Sequence, residues 1–166
     1  HCTSNNTIYG TQMKEFPSSP CTMVCDMSSD IFSRKINVAD FDLIYAGAQK
    51  NMGPAGTTLV IVKDETLGKT GRNIPTMLDY KTHIKKDSMF NTPPVFAVYV
   101  SMLTLEWLKE NGGVEEIEKI NESKAQLVYN EIDRHSLFNG TASFEDRSTM
   151  NAPFLLNEKT LEDTFN

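Results

Sequence analysis

Phe41-Asp-Leu-Ile-Tyr45-Ala-Gly-Ala-Gln-Lys50-Asn-Met-Gly-Pro-Ala-Gly56 contains a strand, a turn and a single lysine in close succession. Phe41 to Tyr45 reads as a strand, small residues carry the backbone on to one lysine, and a Gly/Pro turn follows at once. The next run, Thr57-Thr-Leu-Val-Ile-Val62, is continuous and β-branched, as expected for a strand buried on both faces. So short a connection predicts an antiparallel neighbour, because a parallel crossover needs a dozen or more residues. Upstream, Thr22-Met-Val-Cys-Asp26 is another apolar run, and it ends on a carboxylate.

Two strand ends, one presenting Asp26 and the next presenting Lys50, form a cofactor cradle in outline. A desolvated lysine is the residue that forms Schiff bases, and its amine must be neutral to attack a carbonyl. A pyridoxal cofactor needs such a lysine and an acid beside its ring nitrogen. On residues alone, a turn lysine on the surface and a strand-end aspartate explain Lys50 and Asp26 as well.

The segment Ala46 to Gly56 closely resembles the lysine segment of the phosphoserine aminotransferases. So do His1-Cys-Thr-Ser-Asn-Asn-Thr7, Cys25-Asp-Met-Ser-Ser-Asp-Ile-Phe-Ser-Arg34 and Met89-Phe-Asn-Thr-Pro-Pro94, in the family's order and spacing. The resemblance implies part of a fold-type I large domain, α/β with a mostly parallel sheet and flanking helices. A long linking helix and the start of a small C-terminal domain would follow. It implies pyridoxal 5′-phosphate as cofactor, a cytoplasmic homodimer, and glutamate and 3-phosphohydroxypyruvate as substrates in serine biosynthesis. Lys50 would be the catalytic lysine and Asp26 the partner of the ring nitrogen. Thr7 matches a threonine that hydrogen-bonds the cofactor, and Gln49 matches a cofactor-binding glutamine where cysteine desulfurases typically place histidine. Asn91 and Thr92 match a pair lent across the dimer to the partner's cofactor phosphate. Capping the helix that follows is an alternative role for them. Another small-subgroup aminotransferase, such as one using glyoxylate, and a non-catalytic folding or dimerisation piece are the competing readings.

Family members are much longer, and these 166 residues resemble only their middle, so the chain reads as an incomplete and inactive fragment. The upstream phosphate loop, the stacking aromatic and the substrate-phosphate arginines are expected outside it. The expected portions are residues 1–113 from the large domain, 114–136 as linking helix and 137–166 from the small domain.

Acids outnumber bases 22 to 16, for a net charge of −6. No basic stripe marks a nucleic-acid partner. No apolar stretch approaches the ~20 residues that span a membrane. The three cysteines are an odd number, and Cys21 and Cys25 lack the further ligands of a zinc site, so incidental thiols in a reducing cytosol are expected. Asn5-Asn6-Thr7, Asn121-Glu-Ser123 and Asn139-Gly-Thr141 match a glycosylation pattern in letters only. Gly68-Lys69-Thr70 echoes a P-loop, but Lys63 stands where that pattern needs glycine.

Residues 6–10 are expected to end a strand, 11–20 to be loop, and 64–88 to wrap the surface irregularly, with His83 in a loop. A helix is predicted from Pro93 or Pro94, burying Phe96, Val100, Leu103, Trp107 and Leu108, with Gly112-Gly113 as its stop. A second helix runs from Val114 to about His135, with Val114, Ile117, Ile120, Leu127, Val128 and Ile132 on one face.

Overall fold

The computed structural model describes residues 1–158, so the last part of the expected C-terminal portion, 159–166, lies outside the described residues. The chain opens with β1 (Cys2–Thr3), a small hairpin of β2 (Asn5–Asn6) and β3 (Thr11–Gln12), then β4 (Val24–Asp26), β5 (Leu43–Gly47) and β6 (Thr58–Val62). A short helix α1 (Tyr80–Ile84) precedes two long ones, α2 (Val95–Glu110) and α3 (Gly113–Arg134). A hairpin of β7 (Phe138–Gly140) and β8 (Phe154–Leu156) follows.

Four strands form one sheet in the order β1-β4-β5-β6. The first three are parallel and β6 is antiparallel to β5, as the short Gly/Pro connection requires. The α/β class with a mostly parallel sheet is therefore the observed one. Met23, Cys25, Met27, Ile31, Phe41, Ile44, Ala46, Ala48 and Met52 make the core beneath this sheet. In β5 the alternation of a pleated strand puts Ile44 and Ala46 into it, while Leu43, Tyr45 and Gly47 are half-buried. Cys25 is fully buried, and that burial, ahead of its contact with Cys2, pushes its thiol well above the ordinary range.

A carboxylate also belongs to this interior. Asp30 is 4% exposed. It accepts from the Ser4 hydroxyl, from Gln12 Nε2 at 3.3 Å and from the Arg34 guanidinium at 3.4 Å. A buried charge persists only when paired and hydrogen-bonded in this way. The cluster ties β1, β3 and the turn after β4 together.

Several expected details differ. Residues 7–10 are a turn, because Asn6 Oδ1 accepts from the backbone N–H of Ile8 and Tyr9 and so closes the chain on itself. The strands nearby are β1 to β3, so Thr11 and Gln12 are not loop. No residue of β6 is fully buried, because β6 is the sheet's edge and has one neighbour. Residues 64–88 contain α1 besides turns. In α2 the buried residues are Ala97 and Ser101, whereas Phe96 is 74% and Trp107 54% exposed. This helix is apolar nearly all round, so its period singles out no face; small side chains decide, by letting it approach Gly53 and Gly56. A Cβ on Gly53 would sit 2.7 Å from Ser101 Oγ.

In α3 the buried residues are Asn121, Tyr129 and Ile132, while Ile120, Leu127 and Val128 are exposed. That face meets the polar segment 148–151, and Tyr129 OH donates to the carbonyls of Ser148 and Asn151. Arg147 anchors the same segment. It makes two 2.6 Å hydrogen bonds to Asp133 and lies 4.5 Å from the Tyr129 ring centre. Asn91 and Thr92 do not cap α2, whose N-cap is Pro94 without a side-chain hydrogen bond. No helix among the described residues is long and apolar enough to cross a membrane.

Two outcomes follow from this interior. Asp30→Ala strands the Ser4 and Gln12 donors and the Arg34 charge, and is expected to cost about 3 kcal/mol in urea unfolding of the purified protein. A loss below about 0.5 kcal/mol would mean that the pair is a surface feature. In the native protein, a thiol-specific chromophoric disulfide is expected to label exposed Cys21 at once and Cys25 only after denaturation. Equal native rates would contradict the placement of Cys25 in the core.

Candidate active site

The site forms at the carboxyl ends of two parallel neighbours, the edge at which ligands of open α/β sheets bind. Asp26 closes β4 and pairs in register with Tyr45 of β5. The backbone then turns sharply. Met27 N–H donates to the Tyr45 carbonyl at 2.9 Å, and Ser28 N–H donates to Asp26 Oδ1 at 2.8 Å. The Ser28 hydroxyl accepts from Gly47 N–H at 3.0 Å, bridging the two strand ends. Ser28 and Ser29 therefore build the site's floor: Ser29 Oγ donates to the Asn5 carbonyl at 2.9 Å.

Beyond β5 the chain descends through buried Ala48 into a turn closed by Met52 and Gly53 N–H, both bonded to the Ala48 carbonyl. Any larger side chain at position 46 or 48 would collide with the core there, since both alanines are fully buried. This places Gln49 and Lys50 on the outside. Gln49 folds back over Gly47, where an added Cβ would meet its amide oxygen at 2.5 Å. Lys50 Nζ donates to Thr7 Oγ1 at 2.8 Å. Thr7 comes from the turn between β2 and β3, forty-three residues away in sequence.

Four of the six expected site residues thus share one sheet edge: Thr7 and Lys50 in contact, Gln49 beside them, and Asp26 at the neighbouring strand end. Asn91 and Thr92 do not join them. Both are exposed, and Asn91 Nδ2 donates locally to the Thr92 carbonyl at 3.2 Å. Asn91 and His83 line a cavity of about 800 Å³ between β6 and α2, with Leu59, Val98 and Met102. His83 is half-buried and bonded to the Met77 carbonyl at 2.9 Å. The desolvation expected around Lys50 is not supplied by the described residues either, for its side chain is exposed.

Other contributors escape sequence reading. The phenol of Tyr45 is held above its ordinary range by burial first, and then by hydrogen bonding to Asp26 and its charge. Its oxygen lies 3.1 Å from His1 Nε2. Asn151 Nδ2 donates to the Thr7 carbonyl at 2.8 Å. Nothing in the local pattern around Asn151 announces this, because the contact spans 144 residues.

Comparison with known proteins identifies the family and the fold. The class-V aminotransferase family matches residues 3–164. A phosphoserine aminotransferase of Flavobacterium psychrophilum is 69% identical over 165 residues, 99% of this chain and 46% of that protein. One from Bacillus subtilis is 55% identical over 166 residues, again 99% of this chain and 46% of the relative. The chain therefore spans about half the length of the curated relatives it matches. Among solved structures, the phosphoserine aminotransferase of Bacillus circulans subsp. alkalophilus superposes with a TM-score of 0.93 at 43% identity, covering 98% of this chain and 46% of that one. The pyridoxal-phosphate-bound enzyme of Trichomonas vaginalis gives 0.92 at 34% identity, over 98% and 47%. An alanine–glyoxylate aminotransferase from Nostoc, at 11% identity and a TM-score of 0.75 over 95% and 46%, shares the fold. With residues 3–164 matched by the family and a relative 69% identical over 99% of its length, the chain belongs to the class-V aminotransferases.

Proposed function

We propose that the protein carrying this chain is a pyridoxal-phosphate-dependent phosphoserine transaminase. It would convert 3-phosphohydroxypyruvate and glutamate to O-phosphoserine and 2-oxoglutarate in the cytoplasm. The observation that carries the proposal is the 2.8 Å contact of Lys50 Nζ with Thr7, one strand away from Asp26. Support for the substrate comes from relatives up to 69% identical that bear this activity in their names.

The residues present fit the cofactor. A strand-end amine suits its aldehyde, a carboxylate on the adjacent strand suits its ring nitrogen, and Thr7 and Gln49 offer neutral donors beside them. When bound, the cofactor supplies the electron sink for the pair left on the substrate's α-carbon. Asp26, at the neighbouring strand end, would favour the protonated form of the ring nitrogen through its negative charge. Lys50 Nζ would take the proton from the substrate α-carbon, and Thr7 Oγ1, which accepts from that amine, would orient it. Asn91 and Thr92, open on the surface here, serve the cofactor phosphate of a second subunit in a homodimer. Residues 1–113 act as the large-domain portion, 114–136 as linking helix and 137–166 as the start of the small domain. Lys50 and Gln49 stand in water in this chain, so residues 1–166 alone are expected to lack transaminase activity.

Borohydride reduction of the full-length holoenzyme, followed by peptide mapping, is expected to place the pyridoxyl group on Lys50. A label on another lysine would overturn the assignment. Lys50→Arg keeps the charge but cannot lose its proton, and should abolish turnover. Asp26→Asn should leave the protein folded and slow the glutamate half-reaction by about 10²-fold or more, ~2.7 kcal/mol of barrier. Wild-type rates would leave Asp26 as a turn residue. For the substrate, kcat/KM with 3-phosphohydroxypyruvate is expected to exceed that with glyoxylate, and the reverse order would favour a glyoxylate-using enzyme.

A further inference from the structure

Thr7 sits on an exposed turn, yet its hydroxyl accepts from the Lys50 amine. Something must keep that turn in place. Within it, Asn6 Oδ1 bonds the N–H groups of Ile8 and Tyr9, and Gly10 N–H donates to the Asn6 carbonyl at 3.0 Å. These bonds shape the turn without fixing where it points. Its direction comes from the far end of the chain.

Asn151 bridges two structures. Its Nδ2 donates to the Thr7 carbonyl at 2.8 Å, and its Oδ1 accepts from Asn5 Nδ2 at 2.9 Å and from Ser148 Oγ at 3.2 Å. A carbonyl can only accept, so the amide must face Thr7 with its nitrogen and the other partners with its oxygen. Asn5 is 3% and Ser148 1% exposed, and Asn5 is bonded to both Ser148 and Ser29. The amide of Asn151 therefore hangs from a buried, satisfied network that includes the floor of the site.

We infer that Asn151 is a positioning residue that acts on Lys50 through Thr7. The Asn151 amide holds the Thr7 carbonyl, which sets the direction of the Thr7 side chain and keeps Oγ1 within reach of Nζ. The inference gives the segment 148–151 a part in the lysine site that its distance in sequence conceals. It rests on the reading of Lys50 as the cofactor lysine for its meaning in catalysis, but its geometry is testable without the cofactor.

The test is trace acetylation of the cofactor-free, full-length protein at one fixed pH. Modification of Lys50 is scored by peptide mass spectrometry against exposed Lys124 as internal standard. Asn151→Asp keeps an acceptor for Asn5 and Ser148 but cannot donate to Thr7. It is expected to raise Lys50 modification roughly three- to tenfold, the factor that an ordinary hydrogen bond is worth. Thr7→Val should give a rise of the same size, and the double variant no more than either single one. Glu116→Ala, which removes the exposed Lys119–Glu116 contact on α3 and touches neither Asn151 nor Thr7, should leave Lys50 unchanged. An unchanged Lys50 in Asn151→Asp, effects that multiply in the double variant, or an equal rise in Glu116→Ala would each overturn the inference. Because the labelling is read without cofactor, a pyridoxyl group mapped to a different lysine would sink the catalytic reading and leave this relay standing.

Discussion

The parallel pairing of β4 with β5 is the constraint on which the site depends. Its register sets Asp26, the last residue of β4, against Tyr45, and β5 runs on to Gly47. The Ser28 hydroxyl then bridges the turn after β4 to the Gly47 N–H of β5. With the strand ends fixed in this way, the next residues have little choice. Ala48 is buried, Gln49 folds over Gly47, and Lys50 emerges with its amine on Thr7 Oγ1. A slip of one residue would turn Asp26 and Tyr45 to the opposite face, because strand side chains alternate.

Around that pairing the chain uses polar groups where an apolar core would serve for stability alone. Asp30 gathers Ser4, Gln12 and Arg34 under the sheet edge. Asn5, Ser29, Ser148 and Asn151 form a second network above it. Hydrogen bonds are directional, so a satisfied network admits fewer arrangements than a greasy contact of equal area. That is the property needed to hold a small turn, such as the one that carries Thr7, in one orientation.

The apolar surface tells a complementary story. In α2, Phe96, Tyr99, Leu103 and Trp107 face outward while alanine and serine face in. Close approach to Gly53 and Gly56 demands small side chains, and it leaves the bulky ones without cover. Edge strand β6 is likewise only half covered. Among the described residues Lys50 is left exposed and Asp26 half-buried.

Much of this was legible in the residues themselves. The strands around Asp26 and Lys50, the antiparallel return of β6 and the bounds of both long helices follow from short-range rules of strand length, turn chemistry and helix stop signals. Lys50 stands out as a candidate only through the resemblance of Ala46–Gly56 to a family segment, because the residues alone fit a surface turn lysine as well. The faces of α2 and α3 were not legible. Periodicity says that a helix has an apolar side, but only the neighbour decides which side is covered, and here the neighbours are two glycines and a polar segment. Nor could local pattern reveal Asp30 as a buried hub or Asn151 as the support of Thr7. Those roles arise from contacts between residues far apart in sequence, which exist only once the tertiary structure has brought them together.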